Sequence, residues 1–313
     1  MRANITWPNG KAFAFSIFDD TDLAVPGNFE KVYELLGDLG IRTTKSVWPI
    51  CGEGQPPRSP DGSTCEDEEY LAHILMLQRA GFEIGYHNSS HTGVTREGVR
   101  RALDRFRELF GTDPACMSNH QSNPEGMYWG ADRLSQPLRL LYHLRQGRSQ
   151  GNPLQGHIPS SPYFWGDLCR DRIRYVRGFV FDKINTLAAC PAMPYYDPAR
   201  PYVRGWFAST YASWIPHFIK CLAESRQDEL EASGGACIIY THFASGFQNG
   251  SALEPRFAQL MRRLASKNGW FAPVSQVLDH IKAQQGLVQL SAAARQAIEW
   301  RWIIRKITVG GTE

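Results

Sequence analysis

The run ACIIYTHF, residues 236–243, is almost wholly apolar on both of its alternating faces until it reaches Thr241 and a histidine. A strand with one face in water alternates apolar and polar residues. One covered on both sides reads as an almost continuous apolar run. A strand of this kind belongs inside a parallel sheet with helices on its faces. The segments KAFAFSIF (11–18), IRTTKSVWPI (41–50), FEIGYH (82–87) and ACMSNHQ (115–121) have strand character, and RGFVFDKINTL (177–187) reads as a later strand. Between the early strands lie NFEKVYELLGDLG (28–40), DEEYLAHILMLQRAG (67–81) and TREGVRRALDRFRELFG (95–111), each with apolar residues at helical spacing and a closing glycine. Asn28 is a candidate N-cap for the first. The strand–helix alternation predicts an α/β fold with a parallel sheet. Further on, DRLSQPLRLLYHLRQG (132–147) predicts a helix, followed by a Gly-, Pro- and Ser-rich loop over 147–162. WIPHFIKCLAESRQDELEASG (214–234) predicts one long helix, and three more are expected from 255 to the C-terminal end.

The polar residues gather where these strands stop. The first strand ends in Asp19 and Asp20, with Asp22 just behind. The third ends in His87, the fourth runs into His120, and the apolar strand ends in His242. Parallel α/β barrels build their active sites at the carboxyl ends of their strands. In YHNSSH, His87 and His91 stand four apart, so one helical turn would bring both imidazoles to one face. Two imidazoles and one carboxylate make a three-ligand site for zinc or a similar divalent ion, with one position open for water.

These motifs resemble those of the NodB-homology polysaccharide deacetylases, carbohydrate esterase family four. That family carries a strand ending in Asp-Asp, here IFDDT. It carries His-Ser/Thr-x-x-His, here HNSSH, and a late strand ending in His, here IIYTH. The likeness spans about residues 11–280. It implies a distorted (β/α)7 barrel over 1–285, leaving 286–313 as a helical extension packed on it. It also implies that Asp20, His87 and His91 hold the metal, that Asp19 is the general base, and that His242 is the general acid. The family's Arg-x-Pro-aromatic motif is missing, and SNHQSNP stands in its place. His120 and Asn119 occupy that region, so His120 is the candidate to orient the base or bind substrate, and Asn119 a candidate substrate contact. Asp167, in FWGDL, stands for the family's carboxylate that supports the acidic histidine.

Hydrolysis of an amide suits this residue set. A bound metal lowers the pKa of water to about 7. A carboxylate takes its remaining proton, and a histidine protonates the leaving amine. The resemblance therefore implies a metal-dependent hydrolase that removes an acetyl or other small acyl group from an amino sugar or oligosaccharide. Its divergence suggests the branch found in bacterial surface-polysaccharide clusters. Zinc is the first choice of metal, with cobalt, manganese, nickel and iron as others. Trp48 and Trp165 are candidates to stack on a sugar ring, as are Tyr163, Phe164 and Trp206, although core packing is the commoner fate of aromatics. Two rivals remain: an amidohydrolase acting on a non-sugar C–N bond, and a non-catalytic saccharide-binding relative.

Composition bounds the partners. The net charge of +3 comes from Lys and Arg spread along the chain without a basic block, which gives no case for nucleic acid. No run nears the ~18 consecutive apolar residues of a membrane span. The polar start, MRANITWPNGK, does not read as a signal peptide, and the seven cysteines are odd in number without a Cys-x-x-Cys pair. A cytoplasmic protein with free thiols is the expectation; the alternative of a Cys51–Cys65 bridge is disfavoured there.

Overall fold

Seven parallel strands make the centre of the computed structural model, which describes residues 5–121, 123–146 and 154–309. They are β1 (Phe13–Asp19), β2 (Thr44–Val47), β3 (Glu83–Tyr86), β4 (Cys116–Met117), β5 (Tyr175–Phe181), β6 (Trp206–Tyr211) and β7 (Ala236–Thr241). Each pairs with the next, and β7 pairs back onto β1 from Ala14↔Ala236 to Asp19↔Thr241. The ring is therefore closed, as the (β/α)7 expectation requires. It is also uneven. β3 and β4 meet at the single pair Tyr86↔Met117. Between Arg177 and Val180, β5 advances three residues while β6 advances two, from Phe207 to Ser209. Such an extra residue bends a strand and re-aims its side chains.

Helices clothe the ring. α1 (Glu30–Asp38) buries Val32, Tyr33, Leu35 and Leu36 against it, and α2 (Glu68–Arg79) starts on Asp67, whose side chain accepts from the Tyr70 N–H. α3 (Arg96–Phe110) buries Val99, Ala102, Leu103, Phe106 and Phe110, the stripe its sequence predicts, and stops at Gly111 in the left-handed region. α4 (Gln136–Gln146) and α5 (Gly166–Arg172) precede β5, and the short α6 (Thr186–Ala189) follows it. The long helix expected over 214–234 is two, α7 (Ile215–Cys221) and α8 (Glu224–Ser233). Ala223, extended at ψ 149, separates them, and Glu224 opens the second with an acidic first turn. α9 (Pro255–Ala265) and α10 (Val274–Gln285) close the barrel wall.

Of the seven ring strands, the one the sequence does not predict is β6, WFASTY, which sits in an aromatic- and proline-rich stretch. Asn28 does not cap α1; Phe29 holds that position, and the Asn28 side chain accepts from Val25 N. The loop expected over 147–162 lies partly outside the described residues, as do 310–313 of the C-terminal extension. Of that extension, α11 (Ala292–Val309) packs on α4 and β5. Trp302 is fully buried there, stacked on Tyr142 at 5.9 Å with the Arg133 guanidinium 4.5 Å from its ring. All seven cysteines are free. No described helix is long and apolar enough to cross a membrane.

Candidate metal and catalytic site

An extended chain points successive side chains to opposite faces, and this decides what Asp19 and Asp20 can do. Asp19 shares a face with Phe15 and Ile17, and it turns outward beneath α1. There the Tyr33 hydroxyl donates to its Oδ2 at 2.7 Å, the Phe243 N–H donates to its Oδ1 at 2.7 Å, and Lys45 Nζ lies 3.0 Å from Oδ2. Lys45 is its register partner on β2, and both side chains are wholly buried. Burial pushes the Asp19 carboxyl up, against Lys45 and the two hydrogen bonds. None of its contacts is a histidine, and it has no exposure to substrate. The expected general base is thus a buried partner of lysine.

Asp20 turns inward, and its carboxylate is gripped by Arg177 of β5, with Nη1 donating to Oδ1 at 3.2 Å and Nη2 to Oδ2 at 2.7 Å. The Ser118 hydroxyl donates to Oδ1 at 2.7 Å. Burial acts to raise this carboxyl, but Arg177, His87 and His242 outweigh it and hold it low.

Asp22, two residues on, returns to the same side. Three imidazole Nε2 atoms surround its carboxylate: His87 at 2.9 Å, His120 at 3.0 Å and His242 at 3.4 Å. They come from the ends of β3, β4 and β7. Burial again acts to raise the Asp22 carboxyl, and the three histidines overcome it, leaving it well below the usual range. Donor atoms of Asp20, Asp22 and His242 all lie within 4.8 Å of one another, which among the described residues is the group able to share a metal ion. Burial lowers the His242 imidazole, yet Asp22, Asp20 and the Ser213 carbonyl raise it to about 9. His120 is raised by Asp22 and Asn123 against its own burial.

His91 is not brought into this group. The segment after β3 forms bends rather than a helical turn, with Asn88 in the left-handed region at φ 60, so the four-residue spacing does not align the two rings. His91 lies beside Trp48 at 5.7 Å, and burial lowers its pKa. Trp48 itself is fully buried and forms a wall, with its ring 6.0 Å from His87 and 5.4 Å from His120.

Other expected residues stand elsewhere for clear reasons. Asp167 forms a two-pronged pair with Arg96 at 2.5 and 2.6 Å in the first turn of α5, half exposed and with no contact to His242. Trp165 is fully buried, its Nε1–H donating to the Glu125 carbonyl at 2.6 Å, which leaves no face for a sugar. Trp206 is buried as well. Asn119 spends its amide on the Met127 backbone, donating to O at 3.1 Å and accepting from N at 2.6 Å. The residues the sequence reading passed over are Lys45, Arg177 and Asp22. A charge inside an apolar strand must find a buried partner. TTKSV and YVRGFVF both carried that signal.

A buried lone pair without a hydrogen bond is what a cation site presents. The His87 Nε2 and Asp22 Oδ2 atoms are buried 2.9 Å apart, and neither has a hydrogen-bond partner. The donor set, imidazole nitrogen and carboxylate oxygen, suits zinc and its neighbours. The residues present therefore fit a divalent metal.

No family model and no curated protein matches the sequence. Solved structures do match the fold. A structure from Mycobacterium smegmatis assigned as a polysaccharide deacetylase superposes with a TM-score of 0.56 at 14% identity, over 92% of this chain and 96% of that one. The allantoinase PuuE gives 0.52 at 12%, over 90% and 94%. A structure from Pseudomonas aeruginosa PAO1, also assigned as a polysaccharide deacetylase, gives 0.52 at 11%, over the same shares. The chain has the distorted (β/α)7 barrel fold of the polysaccharide deacetylases.

Proposed function

We propose that the protein is a metal-dependent hydrolase that removes an acetyl or other small acyl group from an amino sugar or oligosaccharide. The observation that carries this reading is the convergence of His87, His120 and His242 on Asp22 at the carboxyl-end mouth of the barrel, with Asp20 alongside. When bound there, a divalent ion would make water acidic near neutral pH and polarise the acyl oxygen. Asp20 stays ionised beside Arg177 and faces the same space, so it replaces Asp19 as the carboxylate that accepts the proton of the attacking water. His242 has its Nδ1 on the Ser213 carbonyl at 3.0 Å, which aims Nε2 at the mouth. With its raised pKa it carries a proton there for the departing amine. The surface-polysaccharide setting is supported by the motif resemblance.

A second reading, hydrolysis of a non-sugar C–N bond, draws on the burial of Trp165 and Trp206 and on the full engagement of Asn119. These were expected to mark a sugar site, and they have no free face for one. Acetate release from a panel of N-acetyl sugars and oligosaccharides, with zinc and after chelation, tests the proposal. Metal-dependent release, lost in His242→Ala, is expected. Cleavage of simple amides but of no sugar would favour the second reading. Saccharide binding with no turnover would make the protein a non-catalytic relative.

A further inference from the structure

The strand alternation that sends Arg177 inward to Asp20 sends its neighbour Gly178 outward, beneath α11. A small cavity lies on that outer side, between Gly178 and Trp206 of the barrel wall and Arg295 and Ile298 of α11. It takes a single water-sized sphere. The missing side chain at Gly178 makes the room: a Cβ there would stand 3.0 Å from the Trp206 ring and 3.6 Å from the Tyr195 hydroxyl.

The polar groups around this space are mostly donors. Three guanidiniums, of Arg133, Arg200 and Arg295, line it against one carboxylate, Asp197, with Glu299 behind Arg200 at 3.3 Å. Asp197 is already engaged: Oδ1 accepts from the Ala199 N–H at 3.0 Å and from Arg295 Nε at 2.8 Å, and Arg200 holds Oδ2. The Gly178 carbonyl accepts from Arg133 at 3.0 Å. Arg295 gives Nε and Nη2 to Asp197 and keeps Nη1 as a donor. Trp206 is buried, and its Nε1–H, which can only donate, has no hydrogen-bond partner among the described residues. Burial pushes the Tyr195 hydroxyl well above its usual pKa, so it keeps its proton and can donate too.

A water molecule has two hydrogens to place and would meet acceptors that are already taken. A cation would meet guanidiniums. A carboxylate or a phosphate is too large for the space. A monatomic anion only accepts, from any direction, and a guanidinium makes that bond charge-assisted. We infer that this cavity is a halide site that takes chloride, held by Arg295, Tyr195 and Trp206. The anion would tie the C-terminal helix to β5 and β6, a bracing role separate from the proposed hydrolysis.

Melting of the full chain in sodium chloride, sodium bromide and sodium gluconate tests the site, with ionic strength matched so that screening is equal. Gluconate is too bulky to enter and sets the baseline. Chloride should raise Tm above it by about 4 °C once its concentration exceeds its dissociation constant 100-fold. Tyr195→Phe keeps the ring, removes one donor and leaves the general effects of each salt in place, so it should lose at least half of that shift. Crystals of the wild type grown in bromide should show the anomalous signal of bromine between Trp206 and Arg295, a readout that needs no variant to fold. Equal melting in halide and gluconate, a halide shift that Tyr195→Phe retains in full, or bromine found only at surface positions would each overturn the site.

Discussion

Replacing Lys45 by methionine should unfold this protein at a lower temperature without touching the chemistry. Lys45 and Asp19 are both wholly buried, with Nζ 3.0 Å from Oδ2. Methionine keeps the length and volume of the stem but removes the charge, leaving Asp19 with the Tyr33 and Phe243 hydrogen bonds alone. Breaking a buried pair from one side costs about 3–5 kcal/mol, because the surviving charge remains out of water. For a chain of 313 residues that corresponds to a fall in Tm of roughly 5–8 °C. Part of the cost is relieved by protonation of Asp19, whose carboxyl burial already pushes up. Asp19→Asn, which leaves the lysine uncompensated, should cost a similar amount. The double variant Lys45→Met/Asp19→Asn removes both charges and should recover more than half of the loss. Thermal melts and urea midpoints measure the cycle, and acetate release measures turnover in the same samples. The expected pattern is coupled stability with kcat within a few-fold of wild type in the double variant. A double variant that is fully stable yet inactive would show that Asp19 is the general base after all.

Two further outcomes follow from other buried groups. Burial raises the Glu125 carboxyl from 4.5 to about 7, against hydrogen bonds from Asn123 and the Val94 N–H. A raised folded pKa means that its contribution is fully present below 4.5 and is lost as pH climbs through 7, a span on the order of 3 kcal/mol. Urea midpoints from pH 4 to 8 should show this slope, and Glu125→Gln should flatten it. Trp302→Ala empties the space between α11 and the barrel, where the indole is fully buried on Tyr142. A loss of about 3–5 kcal/mol is expected from urea unfolding, and a loss below 1 kcal/mol would show that α11 is not part of the cooperative core.

The ring of strands was legible because its residues announce burial directly. ACIIYT and FAFSIF are almost wholly apolar on both faces, and the helices between the early strands carry clear stripes. β4 is shorter than its sequence suggests because only Cys116 and Met117 make ladder pairs, while Ser118 and His120 turn to Asp20 and Asp22. β6 was passed over because its aromatics resembled loop decoration. At the site, the strand-end placement of Asp20, His87, His120 and His242 was visible, and the structure gathers all four. The spacing of His87 and His91 presupposes a helical turn, and the structure has bends there, with Asn88 in the left-handed region. The sequence has no Arg-x-Pro-aromatic motif after β4, and the arginine that the structure brings onto Asp20 is Arg177 of β5. What one sequence could not convey is that Arg177 on β5 reaches Asp20, just past the end of β1, across the barrel.

The two opposed charge pairs also bear on how the chain finds its alignment. Asp19 meets Lys45 on the outer side of β1, and its immediate neighbour Asp20 meets Arg177 on the inner side. A slip of β1 by a single residue would exchange the two aspartates' faces. It would put Phe18 in line with Lys45 and leave Arg177 looking at the wrong side of a carboxylate. Apolar strands such as Phe13–Asp19 are tolerant of sliding, since one hydrophobic neighbour replaces another at modest cost. Charges that must be matched inside and outside at once are not tolerant. The doublet therefore works as a two-sided key for strand alignment, and it discriminates against misthreaded barrels before any substrate arrives.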